Sequence, residues 1–180
     1  MTGVQTCALP IYKKAPKDKR LLKADSPTVV EFLRIHNAAR ADVGASPLEW
    51  SDDLARTAQR WAEHLAETGK LQHRADSAYG ELIATGGVDF TPAKAANGWL
   101  SEKAHYSPDQ EPKYRVSKAS QTDDGKTIVR EEDGETAHYT QMVWGKSTMV
   151  GAGIAKTKDG KVVVVANYNP RGNVKGEKPY

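Results

Sequence analysis

The clearest helical pattern lies in the first third of the chain. Its apolar side chains recur three or four residues apart on one face, at Leu54, Ala58, Trp61, Ala62 and Leu65. Ser51 stands before this stripe as an N-cap, and Gly69 follows it as a stop. Asp52 and Asp53 occupy the first turn, where the helix dipole favours negative charge. The pattern predicts an amphipathic helix between Ser51 and Gly69.

Two further helices are predicted from a serine or threonine followed by proline, since these residues suit the N-cap and the first helical position. Residues 26–27 open one helix, whose apolar face continues toward residues 43–44. Residues 91–92 open the other, and the Ser-Pro pair at 107–108 is expected to end it.

Strand patterns dominate the last third of the chain. Residues 150–156 and 161–168 flank Asp159 and Gly160, which predicts an antiparallel hairpin. The unbroken valine run at 162–165 requires cover on both faces of the sheet. We therefore expect an α+β fold with helices on both sides of a small sheet.

A second, exposed hairpin is predicted within the polar stretch at 109–136. Residues 114–116 and 127–129 are the short apolar segments there, and the Asp-Asp-Gly turn at 123–125 separates them.

Composition limits the chain to one domain and argues against a nucleic-acid partner. The 180 residues are 38% hydrophobic, enough for one core. The formal charge of +3 comes from the two ends, at 12–25 and 171–180, so residues 26–170 carry a net charge of −3. No basic face is expected for phosphate backbones. No apolar run reaches the length of a transmembrane helix.

The sequence divides into four parts. Residues 1–11 carry no charge, and we interpret them as a sequencing or cloning scar, which would make the single cysteine, Cys7, foreign to the domain. Residues 12–25 have the composition of a flexible basic leader. The domain itself is expected at 26–174, followed by a tail at 175–180.

A titratable imidazole stands inside an apolar and aromatic run at 138–144, His-Tyr-Thr-Gln-Met-Val-Trp. At helical spacing His138 shares a face with Gln141 and Met142, so its ring is expected at the edge of a core, where it needs a partner. This segment indicates a site rather than a solvated surface.

Two segments of the sequence carry a family resemblance. Residues 137–147, Ala-His-Tyr-Thr-Gln-Met-Val-Trp-Gly-Lys-Ser, resemble the first signature of the CAP superfamily, which includes cysteine-rich secretory proteins, antigen 5 and plant pathogenesis-related proteins. Residues 164–174, Val-Val-Ala-Asn-Tyr-Asn-Pro-Arg-Gly-Asn-Val, are similar to its second signature. The resemblance implies a three-layer α-β-α sandwich with a mainly antiparallel central sheet, here without disulfides.

It also implies a central cleft built from two histidines and two glutamates. The matching residues are His73, Glu81, Glu102 and His138, with Gln141 beside them. Imidazole and carboxylate form a ligand set suited to zinc or another divalent ion. His73 and His138 would bind the metal directly, and the two glutamates would either orient the imidazoles or activate a metal-bound water.

Each assignment has an alternative that the residues leave open. His73 in a polar loop also fits a surface histidine, and His138 fits helix-end packing. A structural ion pair would satisfy Glu102, whose burial on the face of Trp99 is costly without a partner. Glu81 is the least supported, because Leu82 stands where the family usually has asparagine. The remaining histidines are interpreted as surface or packing residues: His36, His64 and His105.

The first functional hypothesis is a secreted, monomeric ligand-binding module, extracellular or periplasmic as the resemblance implies, for a sterol, a fatty acid or a cell-envelope ligand. An apolar groove for such a lipid is expected near residues 83–90 and Pro92. The alternative is a metal-assisted hydrolase or peptidase with Glu81 or Glu102 as general base. No catalytic residue is assigned, because a nucleophile motif is not found.

Overall fold

The structure is a computed structural model that describes residues 20–75, 77–108 and 135–180, together with the backbone of 117–121 and 127–131. Residues 1–11, most of the predicted leader, and residues 114–116 and 123–125 of the predicted exposed hairpin lie outside the described residues.

Within these residues helices and strands follow one another along the chain as the sequence pattern broadly predicts. In chain order they are α1 (Pro27–Ala41), β1 (Glu49–Trp50), α2 (Asp52–Thr68), β2 (Gly80–Gly86), α3 (Pro92–Ser101), β3 (Ser117–Gln121), β4 (Thr127–Glu131), α4 (Ala137–Met142), β5 (Met149–Lys156) and β6 (Val162–Asn169). A 3-10 turn at Glu102–His105 continues α3.

The predicted helix starts are confirmed by their capping bonds. The hydroxyl oxygens of Ser26, Ser51 and Thr91 each accept a hydrogen bond from the backbone N–H three residues later. Gly69 adopts a φ of 70° after α2, the left-handed conformation that favours glycine at a helix end. The end of the third helix is different from the prediction: α3 stops at Ser101 and tightens into the 3-10 turn, a common ending for an α-helix.

The main sheet has four strands in the order β1-β5-β6-β2, with β1 parallel to β5 and the other neighbours antiparallel. Helix α2 covers one face, where Val163 and Val165 pack against Ala58 and Leu65. The other face packs on α1, α3 and α4. The three-layer α-β-α sandwich is therefore confirmed, and the valine run is covered on both sides.

Two glycines let α2 lie directly on β5. A Cβ atom at Gly151 or Gly153 would stand 2.2 Å from the backbone nitrogens of Ala55 and Gln59, respectively. The Gln59 side chain also pairs with both the N–H and the C=O of Ile154. This amide occupies backbone groups that the short strand β1 leaves unpaired.

Strand β2 includes the start of the segment near which an apolar groove is expected. Residues 83–86 belong to this strand, which pairs with β6 along its whole length. Leu82 is buried in the core and Pro92 is buried at the start of α3. Val88 in the same segment is 73% exposed, and the apolar groove stays a prediction.

A two-stranded hairpin lies in the polar stretch at 109–136. Strand β3 (Ser117–Gln121) pairs antiparallel with β4 (Thr127–Glu131). Among the described residues no helix has the length and apolarity needed to cross a bilayer. Residues near the C-terminus contact the domain, since Gly145 donates its N–H to Pro179 O at 2.6 Å and Lys146 pairs with Glu177.

Candidate metal centre and its cleft

The carboxylate of Glu102 joins α3 to the start of α4. Its Oε1 accepts the Nδ1–H of His138 at 2.6 Å, and its Oε2 accepts the backbone N–H groups of His138 and Tyr139 at 3.0 and 3.1 Å. The first N–H groups of a helix have no partner inside it, so this carboxylate supplies the missing acceptor. The same contact fixes the tautomer of His138, leaving its Nε2 as an acceptor.

The His138 ring is further held by Trp99. The two ring planes are 18° apart and their centroids are 6.1 Å apart. Only 19% of the His138 side chain and 14% of the Glu102 side chain are exposed. Glu102 therefore has the partner that its place on a buried face requires, and this partner is His138 at the start of α4.

A second histidine and glutamate pair lies at the start of β2. The Nδ1–H of His73 donates to Glu81 Oε1 at 3.0 Å, and the backbone N–H of Arg74 donates to the same oxygen at 3.0 Å. The hydrogen bond that His73 donates to Glu81 raises the pKa of His73. Glu81 Oε2 is buried and has no hydrogen-bond partner. His73 itself is 67% exposed.

Glu135, which the sequence did not single out, lies beside the His138 and Glu102 pair. Its carboxylate lies 3.6 Å from His138 Nδ1, and its charge contributes to the raised pKa of His73. One ligand atom from each of Glu102, Glu135 and His138 lies within 4.8 Å of the other two. No local signal in the sequence marks Glu135, because it precedes α4 and stands among polar residues.

A cleft of about 450 Å³ adjoins the His73 and Glu81 pair. Gln141, the predicted cleft residue, lines its wall but is itself only 2% exposed. Its amide oxygen accepts the Gly172 N–H at 2.9 Å, and its amide nitrogen donates to Ser147 Oγ at 3.2 Å. Gln141 therefore fixes the wall of the cleft, and both ends of its amide are occupied.

Arg40, a buried residue of α1, holds the backbone at and after the end of α4. The Arg40 guanidinium is buried and donates to the carbonyl oxygens of Met142, Trp144 and Ser147 at 2.8 to 3.0 Å. Because these carbonyls follow the site helix directly, Arg40 helps to position it. No carboxylate pairs with Arg40 among the described residues.

The remaining histidines lie away from the site. His36 is fully buried, its Nδ1–H donates to Phe32 O, and its Nε2 accepts from the Tyr168 hydroxyl. Burial lowers the pKa of His36 to about 4. His64 stacks on Trp61, and His105 is exposed in the 3-10 turn. These three are packing or surface residues, as predicted.

Comparison with known proteins identifies the family. The model of CAP, the cysteine-rich secretory protein family, matches residues 33–168. Pathogenesis-related protein 1 of Arabidopsis thaliana is 36% identical over 156 residues, which cover 87% of this chain and 83% of that protein. Pathogenesis-related protein 1A of Nicotiana tabacum is 39% identical over 151 residues, covering 83% and 79%.

Solved structures share the fold. BmVAL-1 matches with a TM-score of 0.63 at 23% identity, covering 86% of this chain and 82% of that one. NaASP2, whose crystal structure was determined with Zn²⁺, also has a TM-score of 0.63, at 21% identity and with coverage of 91% and 88%.

Proposed function

Since the chain belongs to the CAP family of cysteine-rich secretory proteins, we propose that it is an exported ligand-binding domain whose paired histidines hold a divalent metal ion, with zinc as the first candidate. The observation that carries this proposal is shared by His73 and His138. Each imidazole donates its Nδ1–H to a glutamate carboxylate, which leaves Nε2 available as a metal ligand.

In this proposal His73 and His138 bind the ion through Nε2 and Glu135 contributes a carboxylate oxygen. In the part of the chain that the structure describes, the group whose ligand atoms lie within 4.8 Å of one another is Glu102, Glu135 and His138, so His73 joins it from its exposed loop when the ion binds. Among the described residues neither Nε2 has a hydrogen-bond partner, which supports this role. Zinc is commonly bound by imidazole nitrogen and carboxylate oxygen, so the donor set fits the ion. Relatedness in fold to NaASP2, which was crystallised with Zn²⁺, adds support.

Glu81 and Glu102 act in this proposal by orienting the imidazoles. Both Glu102 oxygens already accept hydrogen bonds, three in all. One Glu81 oxygen accepts two, and the other is buried away from solvent. A general base needs an oxygen within reach of a water molecule. The geometry of Glu81 and Glu102 therefore favours a ligand-binding domain over the alternative of a metal-assisted hydrolase or peptidase.

The location and ligand class follow the family in this proposal. The name of the matched family includes secretory proteins, and the relatives are named for pathogenesis, so we place the domain outside the cytoplasm, extracellular or periplasmic, in a defence-related or recognition role. A sterol, a fatty acid or a cell-envelope molecule remains the ligand class to test. Saturable uptake of a fluorescent sterol would identify a lipid ligand.

The test is the metal content of the purified chain after dialysis against zinc and then against metal-free buffer. We expect about one zinc per chain, and loss of that zinc in the double variant His73→Ala/His138→Ala. His64→Ala is the matched control, because it removes an imidazole that stacks on Trp61 outside the site. Equal zinc content in the double variant and the wild type would refute the ligand assignment.

A further inference from the structure

We propose that the cleft beside His73 and Glu81 is an oxyanion-binding subsite, in which Arg74 and Arg171 hold the phosphate or carboxylate group of a small polar ligand. The proposal does not depend on the metal ion. It rests on the arrangement of cationic and neutral donors around the cleft.

Arg74 is positioned in the cleft wall but is incompletely bonded. Its Nη2 donates to Ser77 Oγ at 3.0 Å, and the Ser77 hydroxyl is itself held by the backbone of Tyr79 at 3.1 and 3.2 Å. Among the described residues the buried Nε–H of Arg74 has no acceptor. A buried donor without an acceptor is unfavourable, because it has lost its hydrogen bonds to water. An anion that drew the guanidinium toward the cleft would supply the acceptors that the protein does not.

Arg171 provides a second guanidinium on the same cleft. It is exposed, and no carboxylate pairs with it or with Arg74 among the described residues. Glu81 is the sole carboxylate among the described lining residues, and its one hydrogen-bonded oxygen is already shared by two donors. Among the described residues that line the cleft the net formal charge is therefore positive, with two arginines against one glutamate.

The remaining walls are suited to a polar ligand. Gln141 and Asn173 are held by bonds to the Gly172 N–H and the Ala137 carbonyl, respectively, so these walls are fixed before a ligand arrives. A guanidinium presents a planar fork of donors that matches the paired oxygens of carboxylate and phosphate. An oxyanion therefore fits the cleft better than an apolar ring system.

The experiment titrates inorganic phosphate and, separately, acetate into the full chain after removal of metal with a chelator. The Nε–H resonance of Arg74 in ¹H-¹⁵N correlation spectra reports the contact directly. We expect a saturable shift with at least one anion, and the stronger of the two identifies the class of ligand. The variant Arg171→Gln should weaken binding about tenfold, the loss of one charge-assisted contact.

Two controls separate a built subsite from general charge attraction. Arg60→Gln removes the same charge from an exposed position on α2 that does not line the cleft, and it should leave the affinity unchanged. Arg74→Gln should abolish saturable binding, and the exposed Arg171 serves as the test if that variant does not fold. The proposal is overturned if neither anion gives a saturable shift, or if Arg60→Gln weakens binding as much as Arg171→Gln does. Because the sample is free of metal, this failure is distinct from failure of zinc uptake.

Discussion

The two histidine and glutamate pairs share one hydrogen-bond pattern but differ in how firmly the fold holds them. His138 and Glu102 are mostly buried, and Glu102 also caps α4. His73 is two-thirds exposed in a loop, and its partner Glu81 keeps one buried oxygen without a donor. The His138 pair is part of the scaffold, whereas the His73 pair depends on the cleft around it.

This difference indicates that removing the glutamate of one pair should affect the protein differently from removing the glutamate of the other. Loss of the Glu102 carboxylate would remove both the contact that orients the His138 ring and a helix cap. Loss of the Glu81 carboxylate would affect the orientation of one exposed imidazole and one backbone N–H. Stability and ligand binding should therefore respond differently in the two halves.

The largest expected effect is on stability after Glu102→Ala. Three donors lose a charged acceptor in a mostly buried place, so we expect the free energy of unfolding to fall by about 3 kcal/mol. Glu81→Ala should cost about 1 kcal/mol, because it also removes a buried oxygen that lacks a partner. Urea unfolding of both variants measures the two values, and equal losses would contradict the contrast between the pairs.

His36 is a buried imidazole whose hydrogen-bond partners, the Phe32 carbonyl and the Tyr168 hydroxyl, are neutral, so it contrasts with the two histidines that pair with glutamates. Folding lowers the pKa of His36 from 6.5 to about 4, so in this window the unfolded chain binds a proton that the folded chain excludes. Stability present above pH 6.5 should fall as the pH drops toward 4, by at most about 3 kcal/mol from this group.

The check is the slope of unfolding free energy against pH in the wild type and in His36→Gln. The variant lacks a titrating group at this position, so its slope between these pH values should be smaller. An unchanged slope would show that His36 does not control acid stability.

Zinc affinity should also fall by different factors when the histidine of each pair is replaced. His138→Ala removes an oriented ligand on a fixed helix, and we expect about 100-fold weaker binding. His73→Ala removes a ligand that must be ordered from a loop, and we expect about tenfold weaker binding. Calorimetric titration of each single variant gives the ratio. A larger loss for His73→Ala would reverse the proposed order.

The smallest effect concerns the titration of His73. Its pKa is raised chiefly by the hydrogen bond to Glu81, so this pair contributes stability below pH 6.5 that is lost as the pH rises through the folded value. Since His73 is mostly exposed, solvent screening limits the contribution to about 0.5 kcal/mol or less. An NMR titration should give a pKa above 6.5, and Glu81→Gln should lower it; a wild-type value at or below 6.5 would contradict the pairing.

Local signals in the sequence predicted much of the fold. Ser51 and Gly69 bound α2 because caps depend on neighbouring backbone groups alone. The unbroken valine run of β6 predicted cover on both faces of the sheet, because it leaves no polar face for solvent. Strand β2 was missed, because its short segment lies between glycines and its pairing partner is far along the chain. Register between distant strands is set by packing that no local pattern records.

The site was predicted through the family resemblance more than through physics. The sequence placed Glu102 on a buried face, but only the fold shows that its partner is the start of α4. Glu135 and Arg74 were missed because each stands among polar residues with no distinguishing spacing. Their significance depends on the cleft and on unpaired atoms, which appear only when distant segments meet.

The most direct test of the central claim is the tautomer of the two site imidazoles. Long-range ¹H-¹⁵N NMR at pH 8 distinguishes Nδ1–H from Nε2–H in each histidine of the metal-free chain. The account predicts the Nδ1–H form for both His73 and His138, and on addition of zinc a change at both Nε2 nitrogens. An Nε2–H tautomer in either ring, or Nε2 signals that do not respond to zinc, would contradict it.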